Sequence, residues 1–355
     1  MYEKSFDGEF RAVGLMSRIA AEDRVGDSLS ADTIRLYSRK MQHASNRING
    51  GDLNNLSPED LVRDIVERIN NKLITQSSAR IEKASALFWI AEKAQSLLDN
   101  GSADLERYDY AYRDIQELTT KSLQKRSQNT SGQKLKAFPD EAVSILEKAA
   151  LTNKSKALRN ALLFIKANLI LGLRPVEWFN SKLIEYHNRD ALGDYLTDED
   201  GNKIKSLALE VKNAKHSSVR ANGEKRVILL DKLTEIQISY IKRWLKLVSE
   251  LKSENLVNFS EAEVNKKIYS PLQRSIKCIF LKSGWDGASP ALYSTRHQAV
   301  ANAKANGNSQ REIAALFGHS SLNTASKHYG KKYSGYSGRT MTPAPESVLA
   351  VRLSA

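Results

Sequence analysis

"NKSKALRNALLFIKANLILGLRPVEWF", residues 153–179, places a long apolar helix, a glycine, an arginine and a proline in direct succession. The apolar run predicts a buried helix that Gly172 stops, and Pro175 suits the first turn of a second one, where its missing N–H is not needed. Arg174 stands at the corner between the two, its backbone pinned and its side chain able to project. A guanidinium so placed can take two phosphate oxygens in a fixed fork. Taken alone, a pairing with Glu177 or with helix carbonyls explains the arginine as well, so the neighbouring segments have to decide.

Downstream, "IKSLALEVKNAK" (204–215) and "EKRVILL" (224–230) contain extended, β-compatible runs on either side of "NAKHSSVRANG" (213–223), where Asn222-Gly223 favours a turn. This is the single hairpin that the sequence predicts. Helices follow from about Thr234 to Tyr333. "LYSTRHQAVANAKANG" (292–307) has the alanine-rich spacing of a buried helix ending at Gly307, with Arg296 in its first turn. A cation is unfavourable at the positive end of the helix dipole, and a bound anion would satisfy both the arginine and the open N–H groups. An interior salt bridge is the alternative. "SQREIAALFGH" (309–319) carries Ser309 and Glu312 as a capping box and Gly318 as a stop, so His319 lies just past a helix end. "LNTASKHYGKKY" (322–333) then sets Tyr329 on a short helix among Lys327, Lys331 and Lys332. A lone tyrosine there is more often a packing residue than a nucleophile.

Upstream, residues 1–120 read as a small bundle of four helices. In "ADTIRLYSRKMQHA" (31–44), Ile34, Leu36, Tyr37 and Met41 fall near helical spacing; "SPEDLVRDIVERI" (57–69) opens with a capping signature and carries the stripe Leu61, Ile65, Val66 and Ile69. "SARIEKASALFWIAEKAQSLLDNG" (78–101) and "DLERYDYAYRDIQEL" (104–118) supply the other two helices. The polar, basic stretch "TTKSLQKRSQNTSGQKLKA" (119–137) marks a flexible linker, set at 121–137. A second domain is expected over 138–338, and a tail over 339–355 with "PESVLAVRL" as a short separate helix. The fold class expected is mainly α with a small antiparallel β-sheet.

A chain of 355 residues, 41% hydrophobic, is large enough for two cores. It has no apolar run of membrane-spanning length and starts without a signal-peptide pattern, so a cytoplasmic protein with no membrane partner is expected. Its single cysteine, Cys278, excludes a disulfide framework and a thiolate zinc site, and is expected to be a buried apolar residue. Residues 1–120 hold 16 Lys and Arg against 20 Asp and Glu, whereas residues 121–355 hold 38 against 21, net charges of −4 and +17. The asymmetry points the second part towards a polyanion, although a lysine-rich soluble surface has the same count.

In order, the chain presents Gly-Leu-Arg-Pro-Val-Glu, a hairpin lysine, Tyr-Ser-Thr-Arg, Leu-Phe-Gly-His-Ser-Ser, and a tyrosine ten residues after that histidine. Each fragment is weak, but the ordered set resembles the tyrosine recombinase (phage integrase) family across roughly 134–335. The layout is similar too: a helical core-binding domain, a basic linker and a catalytic domain. The resemblance implies that Tyr329 attacks a scissile phosphate and forms a 3′-phosphotyrosyl bond, while Arg174 and Arg296 hold the non-bridging oxygens. It further implies that Lys215 protonates the leaving 5′ oxygen and that His319 hydrogen-bonds the phosphate. Two fixed arginines neutralise the accumulating charge, so neither a metal nor a cofactor is implied.

Lys212 shares the hairpin with Lys215, and counting back from Gly-Glu-Lys at the second strand favours Lys215 in the turn. Tyr333 and Tyr336 are alternative nucleophiles; the spacing from His319 favours Tyr329. The family usually has histidine three residues before its second arginine, and this chain has Tyr293 there. A phenol with a pKa of about 10 accepts a proton poorly, which leaves Tyr293 to orient a phosphate oxygen or the nucleophile. Glu177 fits the family's acidic position as a support for the arginine. The implied partner is double-stranded DNA, two duplexes held by a homotetramer, with Lys212, Lys327 and Lys331 as further DNA contacts. In the acidic first domain, Arg35, Arg39, Lys40 and Arg47 form a candidate DNA-binding face. The reading is that of a site-specific recombinase of a mobile genetic element. Its alternatives are a catalytically silent DNA-binding protein on the same fold, and a telomere resolvase or type IB topoisomerase-like enzyme.

Overall fold

The computed structural model describes residues 29, 31–100, 105–124, 135–190, 192–214, 223–319, 322, 332–336, 338 and 341–351. The chain divides into two compact units, Met1–Gly132 and Gln133–Ala355. Described residues are mainly helical, with one small antiparallel sheet. No described helix is long and apolar enough to cross a membrane.

The first unit contains α1 (Ala31–Ile48), α2 (Pro58–Asn70), α3 (Gln76–Asp99) and α4 (Glu106–Glu117). Ser57 and Thr75 cap α2 and α3 by accepting from the N–H groups of Asp60 and Ser78, and Pro58 takes the first helical position of α2. Leu61, Ile65, Ile90, Tyr112 and Ile115 close the core. In α1 the outcome differs from the spacing argument: Met41 and Ala44 are buried, while Ile34 and Leu36 are exposed. The linker composition also begins too early, because Leu123 is buried in this core and the Gln124 carbonyl accepts from the Gln76 N–H. One apolar side chain in a polar stretch is enough to hold it down.

The second unit is built around α6 (Lys156–Leu171), which follows α5 (Asp140–Thr152) and packs against α8 (Glu235–Asn255), α9 (Glu261–Lys282) and α10 (Ser294–Ala305). Phe164 on α6 meets Trp244 and Tyr269 edge-on, at ring-centre distances of 5.2 and 5.3 Å. Gly172 ends α6 in the left-handed conformation (φ 58°), and the four-residue α7 (Pro175–Trp178) starts at once. A Cβ on Gly172 would sit 2.6 Å from a Phe317 ring carbon and 2.7 Å from the Ala299 methyl. The position therefore requires glycine on two counts. Cys278 is exposed on α9, since the buried positions Ile268, Leu272, Ile276 and Phe280 recur every four residues and place 278 on the opposite side.

The sheet has the order β1-β2-β3-β4, all antiparallel: β1 (Lys182–His187), β2 (Lys205–Lys212), β3 (Lys225–Leu229) and β4 (Thr342–Pro343). The expected hairpin is β2–β3, with Lys212 opposite Lys225. It is not alone, because β1 pairs with β2 from Lys182↔Glu210 to His187↔Lys205. The tail is not a separate helix either. Its β4 joins the edge of β3, and α12 (Pro345–Leu349) follows, with Ala344 donating to the Val227 carbonyl and Ser347 Oγ accepting from the Val227 N–H. Met341, Ala344 and Val351 are buried, so residues 341–351 dock on their own chain.

Candidate active site

Three segments meet around the Glu177 carboxylate, the first more than a hundred residues before the other two. The first is the α6–α7 corner. Arg174 occupies the cap position of α7, its N–H donating to Glu177 Oε2 (2.8 Å) and its Nη1 to Oε1 (2.6 Å). Its side chain keeps 15% exposure, whereas that of Glu177 has none. A buried polar set holds this corner against α10. Trp178 Nε1 donates to Asn168 Oδ1 (2.9 Å), Asn168 Nδ2 donates to Thr295 Oγ1 (2.7 Å), and Thr295 Oγ1 donates to the Leu292 carbonyl (2.6 Å).

The second segment is the start of α10. Arg296 is completely buried and lies 3.6 Å from Glu177 Oε2. Its Nη1 donates to the Gly172 carbonyl (2.7 Å) and its Nη2 to the Phe317 carbonyl (2.5 Å). The cation in a helix first turn is thus balanced by a carboxylate and two carbonyls, the interior arrangement that the sequence left open.

The third is the end of α11 (Gln310–Phe317), which carries the expected Ser309–Glu312 capping box and ends at left-handed Gly318 (φ 58°). His319 follows, 1% exposed, with Nε2 3.4 Å from Arg296 Nη2. Burial and the neighbouring Arg296, Arg174 and Arg226 guanidiniums push its pKa well below the ordinary value, so the ring is neutral at physiological pH. Burial alone would raise the Glu177 carboxyl, but Arg226, Arg296 and Arg174 together hold it well below the usual carboxylate range.

Arg226 on β3 is the residue that the sequence reading missed. Its Nη2 donates to Glu177 Oε2 (2.9 Å), its Nε to the Leu316 carbonyl (2.9 Å), and its Nη1 to Asn213 Oδ1. The available signal was strand alternation: Arg226, Ile228 and Leu230, spaced two residues apart and so on one face, are all buried.

Tyr293 immediately precedes α10, 42% exposed, with its ring edge-on to His297 at 5.5 Å. Burial, Lys136 and Arg296 lower the His297 pKa to about 4. Lys212 ends β2 on the surface, 3.6 Å from Glu224. Lys215, Lys327, Tyr329 and Lys331 lie outside the described residues, as does Asn222, while Gly223 has the positive φ (77°) of a turn. In the first unit Arg35 and Arg39 are exposed, whereas Lys40 pairs with Glu82 (3.5 Å) and Arg47 with Asp64 (2.6 Å).

Residues 332–336 and 338 run along α10. Gln298 donates to the Ser334 carbonyl (2.7 Å), Asn302 Oδ1 accepts from Tyr336 N–H (3.0 Å), and Asn306 Oδ1 accepts from Gly338 N–H (2.8 Å). Tyr336 therefore sits towards the end of α10 remote from Arg296, about 9 Å along the axis at 1.5 Å per residue. Burial and Asp140 raise its phenol pKa.

No family model matches the sequence, and no curated protein matches it. The chain is similar to the solved structure of a lambda integrase tetramer bound to a Holliday junction, at 13% identity and a TM-score of 0.44, over 88% of this chain and 76% of that one. It is also similar to XerH site-specific recombinase bound to a palindromic difH substrate, at 16% identity and a TM-score of 0.44, over 83% and 74% of the two chains. A XerA recombinase structure covers 89% of this chain and 92% of its own, at 16% identity and a TM-score of 0.31. These neighbours are tyrosine recombinases.

Proposed function

We propose that this protein is a site-specific tyrosine recombinase that cuts and rejoins double-stranded DNA through a 3′-phosphotyrosyl intermediate. The observation that carries the reading is that Arg174 and Arg296, more than a hundred residues apart, pair with one buried carboxylate, with His319 against Arg296. In this reading Arg174 and Arg296 neutralise the phosphate, and neutral His319 hydrogen-bonds a non-bridging oxygen. Tyr329 Oη gives up its proton to solvent and attacks phosphorus, the bond to the 5′ oxygen breaks, and Lys215 supplies that oxygen with a proton. The bond energy is kept in the phosphotyrosyl ester, so a second 5′ hydroxyl can reverse the step. Tyr329 is favoured over Tyr336 because Ser334, Tyr336 and Gly338 bond in turn to Gln298, Asn302 and Asn306, leading away from Arg296 with increasing residue number. Four protomers on two duplexes, in the service of a mobile element, complete the proposal.

The test uses nicked duplexes of candidate attachment sites, which trap the adduct when the short cleaved strand diffuses away. A covalent protein–DNA species should form with the wild-type chain and map to Tyr329. Tyr329→Phe should bind DNA as well and form none. An adduct mapped to Tyr333 or Tyr336 would overturn the assignment of the nucleophile.

A further inference from the structure

Burying a third arginine beside two others is costly. Arg226 is almost wholly buried, and both Arg174 and Arg296 act on it as repelling charges. An apolar residue at this inward position of β3, like Ile228, would avoid the desolvation and the repulsion. What Arg226 does instead is join three elements with one planar fork, a geometry that an ammonium cannot copy.

Two of those elements lead directly to residues of the proposed chemistry. Through Asn213, Arg226 grips both ends of the β2–β3 connection: Asn213 N–H donates to the Glu224 carbonyl and Asn213 Nδ2 to the Gly223 carbonyl, each at 2.9 Å. Ala214 N–H also donates to Glu177 Oε1 (3.5 Å), so the two residues before Lys215 are both tied to the Arg226–Glu177 pair. Through the Leu316 carbonyl, Arg226 holds the last turn of α11 ahead of His319. The fit is close, since a Cβ on Gly318 would lie 2.8 Å from Asn213 Oδ1 and 2.9 Å from Arg226 Nη1.

We infer that Arg226 is a positioning residue for strand cleavage, setting the lysine-bearing hairpin and the His319 turn against the Glu177 carboxylate. The inference rests on the proposed recombinase chemistry, and it concerns a residue that the family resemblance does not supply.

Two variants test it: Arg226→Lys, which keeps the charge and loses the fork, and Asn213→Ala, which keeps the Arg226–Glu177 pair and loses the link to the hairpin. Single-turnover cleavage is measured on nicked duplexes with an ordinary 5′ bridging oxygen and with a bridging sulfur, whose thiolate leaves without a proton. Misplacing the hairpin lysine should slow the oxygen substrate on the order of tenfold to a hundredfold, with most of that loss recovered on the sulfur substrate. Equal losses on both substrates would overturn the inference, because general disruption does not distinguish leaving groups. Hydrogen exchange without DNA gives a second reading. Amides of 210–214 and 223–226 should exchange at least about tenfold faster in both variants, with α6 unchanged; unaltered exchange in the hairpin would overturn the inference. Should Arg226→Lys fail to fold, Asn213→Ala decides both measurements. A wild-type chain that forms no adduct defeats the recombinase chemistry, and the exchange data still decide whether Arg226 holds the hairpin.

Discussion

Glu177 accepts from the Arg174 and Arg226 guanidiniums and forms an ion pair with Arg296 at 3.6 Å, and that single carboxylate orders the site at the scale of residues. In the proposed reaction Arg174 and Arg296 contribute fixed positive charge where the phosphate gains negative charge. Arg174→Ala and Arg296→Ala are each expected to slow single-turnover cleavage about a hundredfold or more, the usual cost of losing preorganised charge stabilisation. Normal rates in both would remove the phosphate-clamp role. Tyr293 differs in kind, being half-exposed and packed on His297. If its hydroxyl only positions a neighbour, Tyr293→Phe loses one neutral hydrogen bond of about 1 kcal/mol, roughly a fivefold slowing. A loss as deep as that of Tyr329→Phe would instead place the phenol on the proton path. Arg174, Arg296 and His319 were legible in the sequence because each sits at a helix start or stop, where local signals are strong. Arg226 was not, because its only local mark is one inward step of a five-residue strand.

At the scale of elements, the α6–α7 corner sets the geometry. Gly172 turns the chain left-handed, gives its carbonyl to Arg296, and allows Phe317 and Ala299 to approach. Gly172→Ala should therefore destabilise the second unit by roughly 1–2 kcal/mol for the backbone conformation, with overpacking typically adding about 1–3 kcal/mol. The urea midpoint measures this, and a midpoint equal to wild type would show that the corner can relax. The same corner was readable in advance, since a glycine stop and a proline start are local. Strand β1 was not: Leu183 and Ile184 are both half-buried, so its alternation is weak, and it becomes a strand through pairing with β2. The tail behaves likewise, because Thr342 and Pro343 are a strand only against Ile228 and Leu229.

Across the whole molecule, several buried groups titrate in the same direction. The folded pKa values of His319 and His297 lie below the ordinary histidine value of about 6.5, the latter at about 4. As pH falls through about 6.5 the unfolded chain takes up these protons first, so the stability present above that pH declines. For His297 the loss is complete near pH 4, and His319 adds a loss of the same sign. Glu177 adds a further loss below the ordinary carboxylate pKa of about 4.3, because its folded carboxyl stays ionised longest. The urea midpoint should be level between pH 7 and 8 and fall steadily from about 6.5 to 4; a rise on acidification would contradict the buried neutral histidines.

What the sequence determined by itself was carried by near neighbours along the chain. That includes the capped helices, the Gly172 and Gly318 stops, the β2–β3 hairpin and the mainly helical class. It also includes the chain order of Arg174, Arg296 and His319, though not that they meet. Only the tertiary structure decided which partners those residues take: Glu177 as the shared carboxylate, Arg226 as its third arginine, the carbonyls of Gly172 and Phe317 around Arg296, and the tail as the fourth strand. The reason is physical. A cap or a stop is satisfied by groups three or four residues away, whereas a buried charge or an edge strand takes its partner from wherever the packed core brings one within about 3 Å.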